Sequence, residues 1–303
     1  MVEEIAEMIA EGRGQEAAQA ITRAKQEGKA GSDWIVLEAE LAVTEGRIEE
    51  ARRLLAEGLE QDPEHSEFFV VLGETYSFEN SNLAYLCFEQ ALLYCQKEED
   101  EEMICAVMED LRKRCGFRVR ETSFLIVSYN DRELMKECVS AIRKSVRRGT
   151  YEIVVVDNRS TDGVQKWLRD QLDIRLIENG RNVGYPTGMN IAYRACRKEN
   201  DIFMLNNDAV LTPNAYFWLR MALYAGREVG AVGPMSNEAS GQTISPTPGT
   251  MEETFLLAKK INLPSENPCE EALSLTGFAV LIGAEAAKSV SMEKDIIDRK
   301  SVV

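Results

Sequence analysis

Residues 122–130 read TSFLIVSYN, an apolar run whose last three positions turn polar. Such a run predicts a short buried strand that opens onto a polar site at its carboxyl end. A helical pattern from Asp131 to about Val146 follows, and then a second buried run, YEIVVVDN, at 151–158. VQKWLRDQL at 164–172 is amphipathic, IRLIEN at 174–179 reads as a third strand, and Tyr185 to Cys196 as a helix. DIFMLNNDAVL at 201–211 reads as a fourth strand. Strands alternating with helices predict a parallel sheet covered by helices, with ligands beyond the carboxyl ends of the strands. Polar residues gather at that edge: Tyr129 and Asn130, Asp157 and Asn158, and Asn206 to Asp208. A single Asp after a strand is as readily a helix cap. Three polar clusters at one edge predict a crevice.

The most informative cluster is FMLNNDAVLTP at 203–213. A carboxylate at the end of a buried strand, beside two amides, can bind a hard cation whose shell is completed by water and phosphate oxygens. A diphosphate leaving group needs that neutralisation, because its negative charge grows as its bond to a sugar breaks. The same three residues could equally form a turn closed by their own side chains. Pro213 ends the segment and Asn214 can start the next helix.

IVSYND, VVVDNRSTDG, NVGYPTGMN and LNND, in this order between Thr122 and Asn237, resemble the inverting glycosyltransferases of family 2. The resemblance implies the α/β GT-A fold, the Rossmann-like fold of nucleotide-diphospho-sugar transferases, over residues 120–303. It places Ser128 and Tyr129 against the nucleotide base, with Asp157 accepting hydrogen bonds from base or ribose. Asn158, Ser160 and Asp162 would shape the adjoining loop, and Asn207 would join the donor site. Asn182, Gly184, Gly188 and Asn190 would pass beside the nucleotide sugar, the glycines allowing close backbone approach. Asp208 takes the last position of the family's Asp-X-Asp motif and would hold a divalent metal, manganese or magnesium, on the donor diphosphate. Asn206 stands at that motif's first position and offers an oxygen without charge, so the resemblance implies a weaker metal site. The acceptor would be a glycan, a lipid-linked group or a protein.

Upstream, self-similarity recurs at 34 residues: Gly12, Ala17 and Ile21 are matched by Gly46, Ala51 and Leu55, with Pro63 closing that unit. Phe69, Leu72, Gly73 and Tyr76 open a third unit, continued by Ala84, Phe88 and Ala91 one residue early. Small residues let antiparallel helices approach, and large ones fill the space between neighbouring pairs. This pattern resembles the tetratricopeptide repeat, over about residues 1–97, with a closing helix in 98–116. It predicts a TPR-like α-helical repeat domain over residues 1–116, which serves either as a protein-binding module or as a packing scaffold.

The chain of 303 residues carries a net charge of −16, all of it in residues 1–116, with 27 acidic against 11 basic side chains. That imbalance argues against a nucleic-acid partner. The acidic start MVEEIAEMIAEGRGQE does not resemble a signal peptide, and no apolar run approaches the ~20 residues of a spanning helix. Seven cysteines without paired spacing suit a reducing compartment, so the chain reads as cytoplasmic. The one histidine, His65, lies in the repeats, which excludes a histidine-based triad in the second domain. No phosphate-binding P-loop and no nucleophile elbow occur.

Past Asn237 the likeness thins. SGQTISPTPGT at 240–250 reads as a mobile loop, and LSLTGFAVLIGAE at 273–285 as the family's later strand, with Gly277 where the acceptor side begins. The family's acidic segment, which supplies the base that deprotonates the acceptor, has no counterpart. Glu285, Glu293, Asp295 and Asp298 are the late carboxylates, none in a matching context, so no general base is assigned. Residues 298–303 are what GATCGGAAGAGCGTCGTG encodes, a string like a common sequencing adapter, and the expectation is an artificially cut reading frame. The competing reading is a catalytically weak adaptor, whose repeats bind a partner while its sheet domain docks a nucleotide.

Overall fold

The computed structural model describes residues 1–239, 241–265 and 269–289. The expectations placed on Glu293, Asp295 and residues 298–303 lie outside these. Two compact units are present, Met1–Val119 together with the segment beginning at Phe255, and Arg120–Thr254 together with the segment beginning at Cys269.

The first unit is helical: α1 (Val2–Ala10), α2 (Gly14–Gln26), α3 (Ser32–Thr44), α4 (Ile48–Gln61), α5 (Ser66–Tyr76), α6 (Ser81–Tyr94) and α7 (Glu98–Lys113). Gly12 and Gly46, one repeat apart, both adopt positive φ (74° and 75°) and end α1 and α3. At each, the glycine N–H and the N–H that follows bond back to carbonyls of the finished helix, which satisfies its last acceptors. Ala17, Ala51 and Ala84, the repeated small residues, are fully buried in α2, α4 and α6. Gly58 serves the same purpose, since a Cβ there would stand 2.5 Å from the ring of buried Phe68. The helices can approach this closely only because those positions carry almost no side chain.

The second unit holds β1 (Thr122–Ser128), α8 (Arg132–Ser145), β2 (Tyr151–Asp157), α9 (Val164–Arg169), β3 (Ile174–Glu178), α10 (Tyr185–Ala195), β4 (Asp201–Leu205), α11 (Ala215–Ala225), β5 (Ala231–Val232), α12 (Met251–Ile261, which continues into the first unit's segment), β6 (Ala279–Ile282) and α13 (Ala284–Ser289). The sheet order is β3-β2-β1-β4-β6-β5. β1, β2, β3 and β4 run parallel, as expected, but β6 pairs antiparallel with both β4 and β5, so the sheet is mixed. Leu125 and Val127 of β1 and Val154 and Val156 of β2 pack on Met189, Ala192 and Tyr193 of α10. On the opposite face Phe124, Phe203 and Tyr216 form an aromatic layer.

One expectation needs correction. The fourth strand stops at Leu205 rather than running to Leu211, because the Asn206 N–H makes a bond to Phe278 O (2.8 Å) and the chain then turns, with Ala209 N–H on Asn206 O (3.2 Å). Within 241–250, Ile244 N–H bonds Ser236 O, and buried Gln242 donates to Pro234 O and accepts from Thr276 N–H.

Candidate functional site

The parallel register sets Ser128 beside Asp157 at the carboxyl edge, and the β1–β4 register carried forward brings Asn206 level with Val127. The loops beyond these strand ends are tied to one another in a circuit. Asn158 N–H donates to Ser128 O (2.8 Å), and its Nδ2 donates to Gly184 O (3.2 Å). Tyr185, next in the chain, donates its hydroxyl to Gly277 O (3.0 Å), and Asn206 N–H reaches the neighbouring Phe278 O. Cys138 of α8 closes the circuit with a weak Sγ–H bond to Asn206 O (3.5 Å). The structure thus brings the ends of β1, β2 and β4 and the start of α10 around one edge.

Asp157 is fully buried, and its carboxylate accepts from Ser160 N–H (3.0 Å), Ser160 Oγ and Gln165 Nε2. Those donors commit it first to shaping the loop that follows β2. Asn130, at φ 64°, completes that loop: its N–H donates to Ser160 Oγ (2.8 Å) and its Oδ1 accepts from Thr161 N–H (2.8 Å). Asp162 takes Arg132 N–H (2.7 Å) and Val164 N–H (3.1 Å), joining the loop to the starts of α8 and α9. Tyr129 is exposed beside it.

Asn182 accepts Gly184 N–H (2.9 Å), and Gly184 adopts φ 81°, which leads directly into α10. Gly188 faces β1: a Cβ there would lie 3.0 Å from both methyls of Val127 and 3.6 Å from Asn158 Nδ2. Two buried polar atoms in these elements, Ser128 Oγ and Asn190 Oδ1, have no hydrogen-bond partner among the described residues. Buried polar atoms are rarely left so, and at an edge that gathers loops they are groups to which a polar ligand can bind.

Asp208 is exposed on the turn after β4, with Asn206 and Asn207 partly buried beside it. Its negative charge is felt by two circuit members. Burial first, and then Asp208, pushes the Tyr185 hydroxyl up to about 12, and the same two causes raise the Cys138 thiol to about 12. One carboxylate with two amides makes an oxygen-only set that fits a hard divalent cation, provided phosphate oxygens supply the rest of the shell. Asn179, Gln165, Tyr185 and Cys138 are members that sequence reasoning passed over. Asn179 donates to Asn158 Oδ1 (2.9 Å), and of the four only Tyr185, an aromatic between Gly184 and a helix start, carried a sequence cue.

A mixed α/β sheet with a polar carboxyl edge thus follows a helical repeat. Residues 123–263 match the family model "Glycosyl transferase family 2", and residues 8–69 match a tetratricopeptide repeat model. By these matches residues 123–263 are similar to family 2 glycosyltransferases, and the segment ahead of them to tetratricopeptide repeats. No curated protein sequence matches it. Similar solved structures include the mannosyltransferase PcManGT of Pyrobaculum calidifontis in complex with GDP-Man and Mn2+, at 18% identity and a TM-score of 0.39 over 68% of this chain and 58% of that one. S. aureus TarS 1-349 with UDP-GlcNAc aligns at 15% identity and a TM-score of 0.41, over 56% of this chain and 47% of that one. GalNAc-T7 with UDP, GalNAc and Mn2+ aligns at 14% and 0.40, over 56% and 36%. The chain thus spans about half the length of these structures.

Proposed function

We propose that residues 120–303 form a domain that moves a sugar from a nucleotide diphosphate-sugar to an acceptor hydroxyl with inversion, assisted by a divalent cation, while residues 1–116 form a repeat domain that engages a protein partner. The observation that carries this reading is the circuit of loops around Ser128 within the family 2 match, with Asp208 on the turn after β4. Ser128 Oγ and Tyr129 receive the base, with Asp157 holding the loop from Ser160 to Asp162 against it. Asn182, Gly184, Gly188 and Asn190 flank the sugar, Gly188 by letting α10 lie close on β1. Asp208, with Asn206 and Asn207, holds the cation, manganese or magnesium. When bound, that cation neutralises charge on the leaving diphosphate.

Transfer forms a bond from the acceptor oxygen to the anomeric carbon, on the face opposite the diphosphate. The carbon–oxygen bond to the diphosphate breaks, and its electron pair leaves with the diphosphate. The acceptor's proton passes to a base that none of the assigned residues supplies. Orienting the donor for this in-line attack is the work of the circuit. Among the described residues no helix is long and apolar enough to cross a membrane, and the cysteines are free thiols, which supports action in the cytoplasm.

The test is donor hydrolysis and transfer with added manganese or magnesium. Parent protein turns over donor and Asp208→Ala does not; equal rates in both would remove Asp208 from the mechanism. A thermal-shift panel of nucleotide sugars, with and without metal, names the donor by the largest stabilisation.

A further inference from the structure

The 34-residue period has a consequence for charge. Asp33 and Glu67 occupy equivalent positions in consecutive repeats, and so do Glu40 and Glu74. Asp33 lies in the first turn of α3 and Glu67 in the first turn of α5. Repetition therefore stacks acid on acid between two packed helices, an arrangement that is unfavourable unless something positive lies between them. No lysine or arginine forms an ion pair with any of the four among the described residues.

What lies between is the chain's one histidine. His65 occupies the cap position ahead of α5, packed on the buried ring of Phe68 with centroids 4.6 Å apart. Its Nε2 lies 3.9 Å from Asp33 Oδ1, while its Nδ1 is buried without a hydrogen-bond partner among the described residues. One ligand atom from each of Asp33, His65 and Glu67 can be chosen so that all three lie within 4.8 Å of one another. In a tetrahedral shell, metal–ligand bonds of about 2.0–2.2 Å place two donors about 3.3–3.6 Å apart. Binding therefore requires the two exposed carboxylates to rotate inward by about 1 Å.

We propose that Asp33, His65 and Glu67 form a divalent transition-metal site of the zinc class that clamps α3 to α5. One imidazole and two carboxylates suit zinc, whereas magnesium prefers oxygen donors alone. Glu40 lies near this face: burial first, and then the charges of Glu74 and Glu67, push its carboxyl up to about 7. The two helix starts contribute only about half a positive charge each, less than two carboxylates carry. This site is separate from the turn after β4 and stands whether or not the chain transfers sugar.

Because His65 is the only histidine, 15N-histidine labelling of the full chain gives the imidazole signals of one residue. Metal-free protein is titrated with zinc chloride, and in parallel with magnesium chloride, while the thermal midpoint is followed. The expected result is a saturable shift of the His65 imidazole nitrogens with zinc and not with magnesium, together with a raised midpoint. In the Asp33→Asn, Glu67→Gln double variant the zinc concentration at half-shift rises by about a hundredfold. Both residues are exposed, so their amides leave the helices folded. An imidazole that zinc leaves unmoved overturns the proposal. So does a shift of equal affinity in the double variant, which would show an adventitious ion on the ring alone. Zinc held by the exposed cysteines would raise the midpoint without moving His65, and that too overturns it.

Discussion

Asp157 and Asp208 follow strands on either side of β1 and have opposite surroundings. Three hydrogen bonds from Ser160 and Gln165 engage the buried Asp157 carboxylate in shaping a loop, while Asp208 is exposed. Removing each should fail differently. Asp208→Ala should lower donor turnover by about two to three orders of magnitude, the usual scale for losing one centre of leaving-group stabilisation, and leave the denaturation midpoint unchanged. Asn206→Asp adds the charge that Asn206 lacks, and should lower the manganese concentration that gives half-maximal activity. Ser160→Ala strips Asp157 of a donor and Asn130 N–H of its acceptor. Leaving such groups unpaired costs about 1–3 kcal/mol each, read as a lower urea midpoint for the sheet unit.

At the scale of elements, two glycines show how closely helices must lie. Gly58→Ala would drive a methyl into the Phe68 ring, and overpacking of that kind costs about 1–3 kcal/mol, more than the helix propensity that alanine adds. Equilibrium denaturation of the variant measures the balance, and a gain in stability would refute the close approach of α4 to Phe68. Gly188→Ala presses on Val127 and should push α10 off β1, stretching the Asn158–Gly184 bond. Periodicity made most of these elements legible: β1, β2, β3 and α10 fall where the apolar runs and the helical pattern put them. β4 was overread because AVL after the turn is as apolar as a strand, and nothing local reveals that Asn206 N–H is already bonded to Phe278. Gln165 escaped notice for a related reason. Its bond to Asp157 spans two elements, and a glutamine on an amphipathic helix looks like surface.

Across the whole chain the excess negative charge gathers in the repeats, and stability should register it. The folded Glu40 carboxyl sits near 7 against an unfolded value of 4.5. A raised carboxyl contributes stability that is fully present below 4.5 and is lost as the pH climbs to about 7, because the unfolded chain ionises first. Melting of the parent should therefore fall across that window, and Glu40→Gln should flatten the fall by about 1–3 kcal/mol. Identical pH profiles would refute this. Residues 1–303 by themselves determined the recurring helices, the alternation of strand and helix, and which carboxylates and amides follow buried strands, because each of these is a matter of spacing and polarity along the chain. Only the tertiary structure decided that β6 runs antiparallel, that Asp157 turns inward while Asp208 stays in water, and that Asp33, His65 and Glu67 meet. Such outcomes depend on which distant backbone groups and side chains come within bonding distance, and linear order does not specify that.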